Sequence, residues 1–115
     1  MGPTCIISIH HCDTNACIAS LLVHLSSPLP IEKWKEMIDH FQCHLVHSFP
    51  RPTFVNSVLA SLQDLFRPHG TVRAEYIHEV DFTHWGDIPS IFFTFDKEVI
   101  NLMDDQFIEK VMYHV

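Results

Sequence analysis

The chain has 115 residues, 47% of them hydrophobic, which is the size of one domain with a real core and not the composition of a disordered chain. Seven basic residues stand against fourteen acidic ones, a net charge of -7 with histidine neutral. Such a surface repels phosphate backbones, which argues against sequence-independent nucleic-acid binding, and it suits a basic protein partner.

The β-branched run 5–9 fits a buried first strand. Asp13 then reads as a helix N-cap, with Ile18, Leu21, Leu22 and Leu25 following at helical spacing. Cys17, Ala19, Leu21, Val23 and Leu25 also alternate as a strand does. Pro28 and Pro30 end that element. Segment 31–49 has two readings as well. As a helix, Trp34, Ile38, Phe41 and Leu45 form one apolar stripe; as a strand, Phe41, Cys43 and Leu45 alternate with Gln42, His44 and Val46. After Pro50 and Pro52, Val55, Val58, Leu59, Leu62, Leu65 and Phe66 predict an amphipathic helix capped by Thr53 and stopped by Pro68 and Gly70.

Residues 71–80 alternate: Val72, Ala74, Tyr76 and His78 point one way, Arg73, Glu75, Ile77 and Glu79 the other. Segment 88–95 is nearly all apolar and suits a central strand buried on both faces, with Pro89 tolerated at its start. Asp96 is expected to cap a short helix over 96–103 carrying Val99, Ile100 and Met103. Segment 107–115 is expected to be the closing strand.

This order of elements resembles the bacterial domain-of-unknown-function family numbered 4279. The matching pieces are Ile6-Ile7-Ser8-Ile9, the segment 13–25 with Pro28, Trp34, the helix 58–66, Ile88-Pro89-Ser90-Ile91, Val99-Ile100-Asn101-Leu102 and Val111-Met112-Tyr113. The chain departs from the family's pattern at His10-His11-Cys12, where a Gly-Asp turn is usual, and in lacking a second Trp between Trp34 and the long helix. The resemblance implies a strand over 41–47, adopted here over the helix, and brings no catalytic residues. Small acidic proteins of this kind recur as immunity proteins, an analogy of size, charge and fold.

Little enzymatic chemistry is available. Gly2, Gly70 and Gly86 are the only glycines, too few and too dispersed for a P-loop or a dinucleotide fingerprint. No Gly-x-Ser-x-Gly elbow occurs. Ten histidines and four cysteines raise zinc as an alternative, through His10, His11, Cys12, Cys17, Cys43, His44 and His47. On a helix, His40, Cys43 and His47 would share a stripe; on a strand, Cys43 and His47 would face one way and His40 and His44 the other. Surface histidines and buried cysteines are the plainer reading, so no metal or other cofactor is assigned. Cys12 beside His11 is read as a core cysteine and a turn histidine, because neighbours on a strand point to opposite faces.

The polar set Glu75, Glu79, Asp81, His84, Trp85 and Asp87 is the candidate partner-binding surface. Trp85 would serve as apolar anchor and the carboxylates would pair with Lys or Arg. A core this apolar needs no disulfide. With no secretory signal pattern visible and Cys17–Leu25 too short to span a bilayer, a reduced cytoplasmic protein is expected.

Taken together, the sequence predicts one α+β domain over 1–115. Its sheet is mainly antiparallel, with about four to five strands and two to three packed helices. The expected function is non-enzymatic: an immunity protein, or antitoxin, that neutralises a cognate bacterial toxin domain through its acidic surface. A zinc-binding protein and a self-associating interaction domain are the alternatives, and neither nucleic acid nor membrane is an expected partner.

Overall fold

The computed structural model describes residues 2–11, 14–48, 54–78 and 89–115, the side chains of 43–48 and 54 excepted. In chain order the elements are β1 (Thr4–His10), β2 (Cys17–Leu25), α1 (Ile31–Ser48), α2 (Phe54–Phe66), β3 (Gly70–Ile77), β4 (Ser90–Phe95), β5 (Glu98–Asn101) and α3 (Phe107–His114). The strands make one five-stranded antiparallel sheet in the order β3-β2-β1-β4-β5. The α+β class and the antiparallel sheet are those the sequence predicts.

Alternation decides which face of the sheet is covered. Cys5, Ile7 and Ile9 on β1, Leu21, Val23 and Leu25 on β2, and Ile91, Phe93 and Phe95 on β4 are buried in one cluster with residues from all three helices. The intervening positions, among them Ile6, Leu22, Phe92 and Val99, lie on the opposite face. The helices form one layer on one side of the sheet, and Trp34 of α1 is its centre. That indole meets Phe66 of α2, Phe93 of β4 and Phe107 of α3 edge-on, with centroids 5.7, 6.1 and 6.1 Å away.

Four expectations are corrected. First, Cys17–Leu25 is a strand and not a helix begun by Asp13, which lies outside the described residues. Its burial has period two, with Ala19, Leu21, Val23 and Leu25 inside, because the segment is sandwiched between β1 and β3. The helical spacing of Ile18 arises from a bulge: the register passes from Ile9↔Ala19 to His10↔Cys17, leaving Ile18 as an extra, buried residue.

Second, the strand expected over 41–47 is the end of α1. Trp34, Met37 and Phe41 are its buried stripe, and the covered sheet face supplies the apolar surface that a stripe of this kind needs. Third, 96–103 is a tight turn and then β5, not a helix. Phe95 pairs with Glu98, so Asp96 and Lys97 alone connect the strands, and Asp96 takes a positive φ of 53°. Fourth, 107–115 is α3 and not a strand: Phe107 and Val111, four apart, are buried against the same core.

Strand β4 is interior as expected, yet only one of its faces is buried; Ser90, Phe92 and Thr94 are half-buried on the other. The helix α2 and its stop at Pro68 and Gly70 match the expectation, the stop being a short 3-10 turn over Arg67–His69. The Thr53 cap lies outside the described residues. Gly70 begins β3 because a side chain there would meet the His24 carbonyl: a Cβ would stand 2.1 Å from that oxygen.

Candidate interaction surface

Strand β3 is an edge of the sheet, and among the described residues only β2 pairs with it. From Arg73 through His78 every residue is exposed. The simple alternation expected for this strand is broken at Glu75. The register runs Leu22↔Arg73, Leu21↔Ala74 and then Ser20↔Tyr76, so Glu75 is a bulge residue with no partner on β2. The bulge brings Arg73 and Tyr76 to the same face of the sheet, the one opposite the helices, whereas the expectation separated them. It also lets Arg73 fold back on Glu75, with Nη2 to Oε1 at 2.6 Å.

The strand therefore ends on a small exposed group. The Tyr76 and His78 rings lie parallel, 6.2 Å apart. Tyr76 is 44% and Ile77 57% exposed. The His78 N–H donates to the Ile18 carbonyl at 2.7 Å, which anchors the end of β3 to the bulge in β2. Of the sequence-predicted site, Glu75 alone falls in the described structure; Glu79, Asp81, His84, Trp85 and Asp87 lie outside the described residues. Tyr76 and Ile77 join Glu75 as surface that the sequence reading did not assign to a site. The signal available was the placement of two large residues side by side: one must face outward on an edge strand wherever the bulge falls.

The rest of the described chain holds more of the acidic charge than β3 does. Glu36 pairs with Lys33, Asp64 with Arg67, Glu98 with His114 and Asp104 with Lys110. Glu32, Asp39, Asp96, Asp105 and Glu109 have no ion pair among the described residues. The Asp104–Lys110 contact is 2.6 Å. Its hydrogen bond, together with one from the Gln106 N–H, holds the Asp104 carboxyl below the usual carboxylate range, and the same bond holds the Lys110 ammonium above the usual lysine range.

The His/Cys positions give no metal centre in the described structure. His10 sits opposite Cys17 across β1 and β2, but both of its nitrogens are engaged, Nδ1 with the Asn15 carbonyl at 3.0 Å and Nε2 with the Ser8 hydroxyl at 2.9 Å. The Asn15 carbonyl can only accept, so Nδ1–H donates to it, and the Ser8 hydroxyl occupies Nε2. Cys17 donates to the Ala19 carbonyl. Cys12 and the side chains of Cys43, His44 and His47 lie outside the described structure. Among the described residues no group of three or more His, Cys, Asp or Glu is placed to hold an ion.

A serine hydrogen-bonded to an oriented histidine has two of the contacts used in nucleophilic catalysis. Here Ser8 is only 8% exposed, midway along the central strand β1, so the hydroxyl has little room to reach a substrate carbonyl. The contact braces the β1–β2 hairpin, whose loop residue Asn15 has a φ of 56° and is tied back to His11. No described helix is long and apolar enough to cross a membrane. Comparison with family models, curated proteins and solved structures returned no match to this chain.

Proposed function

We propose that this protein is a non-enzymatic binding module that engages a basic protein partner through β3 and the acidic segment after it, most concretely an immunity protein that neutralises a cognate toxin domain. The observation that carries this reading is the exposed edge strand β3, which presents Tyr76 and Ile77 on an edge that no other described strand covers. An edge strand offers a row of free N–H and C=O groups to a partner strand, while its side chains add specificity. By alternation from the His78 N–H, which points to β2, the N–H and C=O of Ile77 point away from the sheet. The sequence continues directly into the segment with Glu79, Asp81, His84, Trp85 and Asp87, the acidic and aromatic groups expected to pair with a basic surface. The net charge of -7 favours encounter with a cation-rich partner. The resemblance to family 4279 is part of the same proposal and adds no site residues to it.

The test is co-purification with the product of the adjacent gene, then binding measured for charge reversals Glu79→Lys and Asp81→Lys and for Ile77→Asp. Each is expected to weaken binding, by roughly tenfold or more at a buried anchor. Unchanged affinity in all three removes this surface from the reading.

A further inference from the structure

The sheet face opposite the helices is a second surface, separate from the β3 edge. Its central strand is β1, and its central exposed side chain is Ile6, 43% accessible. Ile6 lies opposite Leu22 on one side and Thr94 on the other, and Thr94 in turn lies opposite Val99, which is 60% accessible. Phe92 and Tyr76 extend the apolar surface to either side of Ser8. A row of side chains, apolar except at Thr94, thus crosses the sheet from β2 to β5.

The charge on this face differs from that of the whole molecule. The chain carries fourteen acidic residues, yet among the described residues this face holds few of them: Glu75 is paired with Arg73, and Asp96 stands at the rim, in the groove lined by Ile6, Leu22 and Thr94. A basic macromolecule has little here to pair with. Two copies of an acidic chain, by contrast, repel wherever their carboxylates meet, and this face lets them approach with little of that penalty. Five strands at about 4.8 Å spacing and about seven residues of about 3.3 Å rise span roughly 550 Å2, so two copies cover roughly 1,100 Å2 in plane before side-chain relief is added. That falls just short of the range for stable protein interfaces, about 1,200–2,000 Å2, and side-chain relief adds to it.

We infer that the open sheet face is the contact between two copies of this chain, packed face to face about a two-fold axis that passes near Ile6. An isologous contact brings the residue nearest the axis against its own copy, and the middle strand of the sheet supplies that residue. Sheets packed in this way interdigitate the side chains of the facing layers, which places Ile6, Leu22, Phe92 and Val99 in a shared core.

The axis gives a test specific to a second copy. Sedimentation at about 100 µM is expected to give twice the chain mass of 13.3 kDa. Ile6→Lys and Ile6→Glu, each placing two like charges at the axis, are both expected to run at the single-chain mass with far-ultraviolet circular dichroism unchanged. An equal mixture of the two is expected to recover the double mass, since opposite charges then meet. Wild-type protein at the single-chain mass overturns the inference. So does a dimer that survives both substitutions, which would place the contact elsewhere, and so does a mixture that stays monomeric. Ile77→Asp on the β3 edge should leave the dimer intact; its loss there instead would show edge-to-edge pairing and overturn the face-to-face arrangement.

Discussion

At the scale of single residues, the indole of Trp34 carries the most packing. It is 1% exposed and touches three other rings on three elements, and its Nε1–H has no hydrogen-bond partner among the described residues. The two facts act in opposite directions. Trp34→Ala leaves a cavity between the sheet and all three helices and is expected to cost about 3–5 kcal/mol. Trp34→Phe loses some contact area but also removes a desolvated donor worth about 1–3 kcal/mol, so its cost is expected to be less than half that of the alanine variant. Urea denaturation followed by circular dichroism separates them, and equal losses would mean that the indole N–H is satisfied after all. Cys5 gives a second prediction. Burial pushes its thiol up to about 12, offset in part by a hydrogen bond from the backbone at Thr94. Its pKa is thus higher folded than unfolded, so the thiol contributes stability that is fully present below about pH 8.5 and is lost as pH rises towards 12. Stability above pH 9 is expected to fall with a slope that includes about 1.4 kcal/mol per pH unit from Cys5. Cys5→Ala should flatten that limb without abolishing it, because burial also raises Cys17 and Lys110 titrates in the same direction. An unchanged slope in the variant would sink the assignment.

Among the elements, α3 shows how a short polar sequence sets a boundary. Asp104 accepts from the Gln106 N–H at 2.8 Å through Oδ1 and from the Lys110 ammonium through Oδ2, tying the turn before the helix to its body. Asp104→Asn keeps an acceptor for the N–H and loses the ion pair; Asp104→Ala loses both. At neutral pH the alanine variant is therefore expected to be the less stable of the two. Because the Asp104 carboxyl is held below its usual range, its contribution is present above about pH 4 and is lost as pH falls through the lowered value. Wild type and Asp104→Asn should thus converge in melting temperature under strong acid, and a constant difference down to pH 2 would contradict the ion pair. The same element shows what the sequence left ambiguous. Phe107 and Val111 sit four apart, a helical signature, but eight residues are too few for periodicity to dominate over the β-prone composition of Val111-Met112-Tyr113. Asp104, three residues before Phe107, is a helix-start signal that the sequence reading did not use. At Cys17–Leu25 a bulge at Ile18 superimposed a helical spacing on a strand, and at 41–47 the deciding fact was tertiary: a sheet face that only a helix layer could cover. The strands β1, β3 and β4 and the helix α2 were legible because each has a single dominant period or a clean break at Pro or Gly.

For the molecule as a whole, the described helices leave one sheet face open and the β3 edge exposed, and charge distinguishes the uses proposed for them. The acidity of the proposed partner site was legible from composition. The bulge at Glu75, which turns Arg73 and Tyr76 to one face, was not, since it depends on how β3 meets β2 and not on β3 alone. The open face was hidden for a similar reason: its residues are scattered through five strands and become neighbours only in the register of the folded sheet. These two surfaces should respond oppositely to salt. Partner binding through an acidic edge depends on long-range attraction, screened over about 10 Å at 0.1 M ionic strength and about 3 Å at 1 M. Its association rate constant is therefore expected to fall by roughly tenfold or more between low and high salt. Truncating Ile77 should instead speed dissociation and leave association nearly unchanged. Pairing of two copies through the mainly apolar face works against the repulsion of two chains of charge -7 each, and salt screens that repulsion. Its dissociation constant is expected to fall or hold steady as salt rises, read by sedimentation across the same series. A dimer that dissociates on adding salt would show that ion pairs and not apolar packing hold it, and a partner association rate flat in salt would remove electrostatic encounter from the proposed function.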